Sequence, residues 1–317
     1  MRKLQPEFDH RAPANDGLVS AYQRYPFKVH GYAGLAIILI AEVLLFSGNK
    51  FVGSWFTPIV WTGYILFVDA LIFRIKGRSL LMTDRVELLI IIFISIAGWW
   101  LFEFYNAPRF WRSDLELWWH YHNLEPNLFL RRFGYDWAFA TIFTGLFLTA
   151  QLLATSLFAK LQQLRAVRFS RKSLYGMVLV GVIGVVFPII IISPWFAPVI
   201  WLSFIFLLDP INFLRQQPSI IGDMQIGDYR RLVSLLASGM LCGLLWEFWN
   251  YWAISRWTYT VPYLGDIKLF EMPLLGYLGF PPFAVECWVM YIFFRSLLTK
   301  KPVQSQEIWI ESGNDEN

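Results

Sequence analysis

The chain has 317 residues, of which 56% are apolar and only 16% charged, with a formal net charge of +4 and a mean hydropathy of +0.46. Soluble globular proteins carry roughly 25% charged residues, so the composition excludes a disordered protein, a coiled coil and a water-soluble enzyme. An all-α, polytopic membrane protein remains, and basic residues set between apolar stretches suit a membrane better than nucleic acid.

Residues 1–30 are polar and contain Pro6, Pro13 and Pro26. They lack the apolar core of a signal peptide and are expected to form a cytoplasmic tail. Eight apolar segments follow, at 31–48, 56–74, 86–105, 136–158, 173–193, 195–215, 230–252 and 275–297. Each is close to the ~20 residues that cross a bilayer. The fifth and sixth nearly touch at Ser193-Pro194, which predicts a tight hairpin. Residues 300–317 read as a second polar, cytoplasmic tail. With both termini inside, the inner segments carry most of the Lys and Arg and the outer ones few. Basic residues favour the cytoplasmic side, so a multi-pass protein of the plasma (inner) membrane is expected.

The two halves, 31–160 and 161–299, read as copies. Trp55-Phe56-x-Pro58-x-x-Trp61 returns as Trp195-Phe196-x-Pro198-x-x-Trp201. The same offset pairs Asp69 with Asp209 and Ser79 with Ser219; after a short insertion, Asp84 pairs with Asp228, Glu103 with Glu247 and Asn106 with Asn250. Four spans per copy predict a parallel repeat with its pseudo-two-fold along the membrane normal. Each copy has a long outer loop, 106–135 and 253–274, rich in Trp, Tyr and Pro. Such loops either anchor in the interface or fold over a cavity mouth.

Six acids lie away from the inner ends and edges of the apolar segments, Glu42, Asp69, Glu103, Asp209, Glu247 and Glu286. No Lys or Arg lies in a span interior to pair with them. An acid at mid-bilayer costs roughly 2.5–3.5 kcal/mol even on a lenient scale, and is often functional. An acid that water cannot reach is costly to ionise, so some of these groups are candidate proton donors. By helix rise, Asp209 and Glu286 are expected near one level, with Glu247 closer to the outer surface. Asn250 and Asn106 share helix faces with Glu247 and Glu103. Aligning Phe133-Gly-Tyr-Asp136 with Leu278-Gly-Phe-Pro281 sets Thr141 opposite Glu286, so the second half has the extra acid. This makes Glu247, Asp209 and Glu286 the candidate catalytic residues, with Trp246, Trp249, Asn250, Glu103, Asp69 and Asn106 as candidate substrate-binding residues. A Glu–Asn pair can also simply bond neighbouring helices, and Glu42 reads as a helix contact. Trp99, Trp100, Trp246, Trp249 and Trp252 crowd the outer acids, and aromatic faces stabilise cations.

No metal or other cofactor is expected. His10, His30, His120 and His122 all lie away from mid-span, which argues against haem within the bundle. Cys242 and Cys287 lie in apolar segments and read as buried packing residues. There is no Asp-rich diphosphate motif, P-loop or dinucleotide fingerprint. Gly239 and Gly243 read as a helix-packing face.

Leu245-Trp246-Glu247-Phe248 resembles the Trp-Glu signature of the integral-membrane terpene cyclases of fungal meroterpenoid pathways. Pro282-Phe-Ala-Val-Glu286 is similar to the Pro-x-Glu signature of small membrane lycopene cyclases. Those families have six or seven spans rather than eight. The resemblance implies acid-initiated cyclisation or isomerisation of an isoprenoid, with Glu247 and either Asp209 or Glu286 as acid and partner. Two other readings stay open: a proton-coupled carrier of a neutral solute, and a non-catalytic membrane subunit. A lipid or isoprenoid substrate is the expected partner, and a second copy or a membrane complex is left open.

Overall fold

The computed structural model describes residues 25–107, 117–260, 265–298, 305 and 307–311. His10, Arg109, Arg112 and the Pro262-Tyr263 pair lie outside the described residues, as does most of both tails.

Among the described residues ten α-helices follow in order: α1 Val29–Phe46, α2 Lys50–Ser54, α3 Phe56–Lys76, α4 Arg85–Asn106, α5 Leu128–Thr155, α6 Arg171–Ile190, α7 Ala197–Leu214, α8 Ile220–Ile226, α9 Arg230–Trp252 and α10 Phe280–Leu298. Single 3-10 turns, Pro194–Phe196 and Leu274–Gly279, lead into α7 and α10. Eight of these helical segments are long and apolar enough to cross a membrane, including the 3-10 turns at the start of the sixth and eighth. This is a multi-pass helical membrane protein. The fourth span differs most from its expected bounds, because Asn127 caps α5 by accepting from the amides of Phe129 and Leu130. The helix therefore starts eight residues earlier than hydropathy alone suggests.

Burial grades the helices. In α5 and the α10 span, 67% and 61% of the apolar window is buried, against 22% in α1 and 17% in α6. So α5 and α10 form the centre, and α1 and α6 the lipid-facing rim. α1 packs on α3 and α6 on α7; α5 packs on α3, α4 and α9, while α10 packs on α7, α9 and α4. The α1–α3 seam is close because Gly34 and Gly63 face each other, and a Cβ on either would strike the other's carbonyl. Small residues at such crossings let helix backbones approach. At Gly239 and Gly243, α9 is likewise pressed against the backbone and ring of Phe280.

At one end of the bundle, β1 (Trp119–His122) pairs antiparallel with β2 (Arg256–Tyr259), Trp119 opposite Tyr259 and Tyr121 opposite Trp257. We call this the ribbon end. A smaller ladder there joins β3 (Lys268–Leu269) to β4 (Met272–Pro273). The opposite end carries the C-terminal segment, which is not a free polar tail. Ile308, Trp309 and Ile310 are fully buried. Trp288 Nε1 donates to the Ile308 carbonyl at 2.7 Å, the Ile308 amide donates to Gln151 at 2.9 Å, and the Ile310 amide donates to the Tyr291 hydroxyl at 3.0 Å. Lys76 pairs with Glu307 at 2.6 Å, and Arg78 with Glu311 at 3.3 Å. Arg231 donates to the Ser305 carbonyl.

Candidate functional site

A cavity of about 500 Å³ lies near the ribbon end. Helices α4, α5, α7 and α9, the start of α10 and both ribbon strands contribute to its wall. The lining is aromatic and aliphatic: Trp99, Trp119, Trp201, Trp246, Phe139 and Phe283 form much of it. Their rings contact one another edge-on or tilted. Trp99 and Trp201 each meet Phe283, at centroid distances of 5.8 and 5.0 Å. Cavities of 300–1,000 Å³ with mainly apolar walls are the usual size and character of small-molecule sites.

Among the described residues no carboxylate lines this cavity; two stand directly behind its wall. Glu103 Oε1 accepts from Trp99 Nε1 at 2.9 Å, Trp119 Nε1 at 3.1 Å and the Tyr121 hydroxyl at 2.6 Å. All three donors line the cavity. Glu247 Oε1 accepts from the Tyr259 hydroxyl at 2.7 Å, and Tyr259 in turn accepts from Trp257 Nε1 at 2.6 Å. Both Tyr259 and Trp257 are in the wall. Burial first, and then the neighbouring glutamate, pushes the phenols of Tyr121 and Tyr259 well above their ordinary value. They are neutral hydrogen-bond donors at rest. Glu247 Oε2 is buried without a hydrogen-bond partner among the described residues.

The asparagines three positions on hold the ribbon. Asn106 Oδ1 accepts from the amides of Trp118 and Trp119, and its Nδ2 donates to the Trp119 carbonyl. Asn250 accepts from the Trp257 amide at 2.9 Å and donates to the Trp257 carbonyl at 2.8 Å. A side-chain amide that supplies both a donor and an acceptor can satisfy an edge that has no strand beside it. Each Glu–Asn pair thus fixes the strand that brings its tyrosine to the cavity.

The three expected catalytic acids do not meet. Asp209 accepts from the amides of Ile220 and Ile221, both at 2.9 Å, at the start of α8. It satisfies orphan donors at a helix N-terminus at the far end of the bundle. Asp69 does the same for the 79–83 turn, accepting from the Leu81 amide and the Ser79 hydroxyl, with His30 3.0 Å away. Glu286 Oε1 faces the Phe204 amide at 3.3 Å, and its Oε2 has no partner among the described residues. Phe204 precedes Asp209 by five positions, or about 7.5 Å of helix rise, so the expectation of one shared level is corrected. The error came from counting from span ends that hydropathy places only loosely, in a span that starts with a 3-10 turn. Of the expected site residues, Trp246 alone lines the cavity. Trp249 turns away and donates to Glu42 at 3.2 Å, which gives Glu42 the helix contact expected of it.

Sequence reasoning did not single out Tyr121 and Tyr259. The signal was present: Trp119-x-Tyr121 and Trp257-x-Tyr259 repeat in the two loops. His120 and His122 bond Thr260 and Thr258 across the ribbon, both at 2.8 Å. Among the described residues no cluster of His, Cys, Asp or Glu is arranged to hold a metal ion.

The fold and cavity define a polytopic helical membrane protein with an aromatic-walled chamber at one end. Comparisons with protein-family models, curated proteins and solved structures found no match.

Proposed function

We propose that this protein takes a neutral, apolar, isoprenoid-like lipid into the aromatic chamber. The observation that carries this reading is the wall itself: a ligand-sized space closed by indoles, phenyl rings and phenols, with both nearby carboxylates turned behind it. Among the described residues this lining has no cation for an anionic headgroup and no carboxylate for a basic solute.

We further propose the chemistry of a cyclase or isomerase, supported by the buried, half-bonded Glu247 one hydroxyl away from the chamber. With Glu247 protonated and its bond to Tyr259 reversed, so that the carboxyl donates to the phenol oxygen, the Tyr259 phenol would pass its proton to an alkene carbon as the Glu247 carboxyl restores it. The resulting carbocation would be stabilised by the ring faces and would lose a proton back to Glu247. No net proton is consumed, so the product is an isomer of the substrate. In this reading Asp209 and Glu286 are structural. The resemblance of Trp246-Glu247 and Pro282–Glu286 to membrane cyclases points the same way.

The parallel repeat belongs to this proposal. Its support is the matching of Asn106 with Asn250, of Tyr121–Glu103 with Tyr259–Glu247, and of Asp69 with Asp209 as caps. With the basic bias of the sequence, the ribbon end would face outward and the tail end the cytoplasm. A carrier would need a path through the tail end, and the buried Ile308–Ile310 segment there weighs against it.

The test uses purified protein in nanodiscs with a linear polyprenyl alcohol. Binding is expected for the natural chain and lost on Gly279→Trp, because a Cβ at this lining residue meets no atom within 4 Å and the indole would fill the chamber. Extraction should return an isomer of unchanged mass. Equal binding by both proteins would refute the site.

A further inference from the structure

The chamber has a side door. Five of its lining residues are exposed: Thr260 beside the ribbon, and the apolar Pro198, Leu202, Leu275 and Leu278, of which Leu278 is 67% exposed. The four apolar ones come from only two places, the first turns of α7 and the 3-10 turn 274–279 before α10. Both lie within candidate membrane spans, Pro194–Leu214 and Leu274–Leu298, and all four rim residues are apolar.

The first half supplies an internal comparison. By the sequence offsets, Trp55, Thr62, Phe133 and Trp137 correspond to Trp195, Leu202, Leu278 and Pro282. In the first half this gap is shut. The rings of Trp55, Phe133 and Trp137 lie against one another at centroid distances of 6.0–6.1 Å. Trp137 Nε1 also donates to Thr62 Oγ1 at 3.0 Å, pinning α5 to α3. A small pocket of about 90 Å³ lies beside Trp55. In the second half Leu202 cannot accept that bond, and Pro282 has neither an indole ring nor a donor. The closure is therefore missing on one side only.

We propose that this gap between α7 and the 274–279 turn is a lateral portal, through which the hydrocarbon chain of a bilayer lipid passes directly from the membrane into the chamber. The inference rests on the chamber being the lipid site and adds its route. A ligand that never leaves the hydrocarbon avoids crossing water, and an apolar rim at membrane depth leaves no polar group unsatisfied in lipid. The opposite approach, from water, is lined by the ribbon and its bonded indoles and phenols.

The experiment places full-length protein in phosphatidylcholine vesicles doped with a linear polyprenyl alcohol that carries a diazirine. After irradiation, mass spectrometry maps the adducts. Adducts are expected on the rim residues Leu275 and Leu278 and on the deep wall at Trp246 and Phe283. One variant grafts the first-half closure, Leu202→Thr with Leu278→Phe and Pro282→Trp. A second, Leu278→Cys, is blocked with a bulky maleimide after folding; the native Cys242 and Cys287 are buried and protected. The portal predicts that deep-wall labelling is lost in both while lipid-facing adducts elsewhere persist. Undiminished deep-wall labelling in the blocked cysteine variant overturns the portal and leaves the chamber standing. Absence of deep-wall adducts in the natural protein overturns the chamber and the portal together.

Discussion

At the scale of residues, the two halves use the same groups with unequal redundancy. Glu103 draws three donors onto one oxygen, whereas Glu247 draws the Tyr259 hydroxyl alone at that distance. Tyr259→Phe should therefore lower the unfolding temperature more than Tyr121→Phe, since a buried polar group left unpaired costs about 1–3 kcal/mol. Equal effects would contradict this bonding scheme. Asn106→Ala strips partners from two amides and a carbonyl, and should cost at least as much again by the same rule; a neutral result by thermal unfolding would mean the ribbon does not depend on it. Beyond the spans, burial pushes the Asp223 carboxyl up from 3.8 to about 6, against the pull of Arg231 2.7 Å away. A folded value above the unfolded one means the native state holds the proton more tightly. The stability this contributes is complete below about pH 3.8 and lost as pH rises through about 6. Asp223→Asn should flatten the unfolding temperature across that window, and an unchanged slope would show that another group sets it.

At the scale of elements, the C-terminal segment acts as a seal. Ile308–Ile310 touches side chains from α5 and α10, Glu307 reaches Lys76 at the end of α3, and the Ser305 carbonyl accepts from Arg231 at the start of α9. Packing rather than charge should dominate. Burying an indole and then removing it costs about 3–5 kcal/mol, so Trp309→Ala should lower the unfolding temperature strongly. Glu307→Gln with Glu311→Gln should change it little, because ion pairs with partial solvent access contribute roughly 0–1 kcal/mol each. The reverse order would mean that the seal is electrostatic. Sequence made this element hard to see. Its three apolar residues sit in a polar stretch too short for any hydropathy window. The spans were legible because twenty apolar residues in a row admit few other readings. The ribbon was not, because four-residue strands rich in Trp, Tyr and His look like interfacial anchors.

At the scale of the whole molecule, the repeated residues identified in sequence are mostly those that build the frame. Asp69 and Asp209 cap turns, Asn106 and Asn250 hold strands, and the glutamates orient tyrosines. An uncompensated acid in a span was read as chemistry, yet five of the six accept from backbone amides or indole N–H groups. That use is invisible in a single sequence, because a capping carboxylate and a catalytic one carry the same letter. The positions where the halves differ hold more information about function. Thr141 faces the chamber while its counterpart Glu286 is packed against α7, and the Trp137 closure has no equivalent at Pro282.

The central claim is that the aromatic chamber holds a neutral lipid. The most direct measurement is mass spectrometry of the lipids retained by the purified protein, compared with those retained by Gly279→Trp. A neutral, isoprenoid-like species should be held by the natural chain and missing from the variant, against an unchanged background of phospholipid. Identical lipid profiles for the two proteins would contradict it.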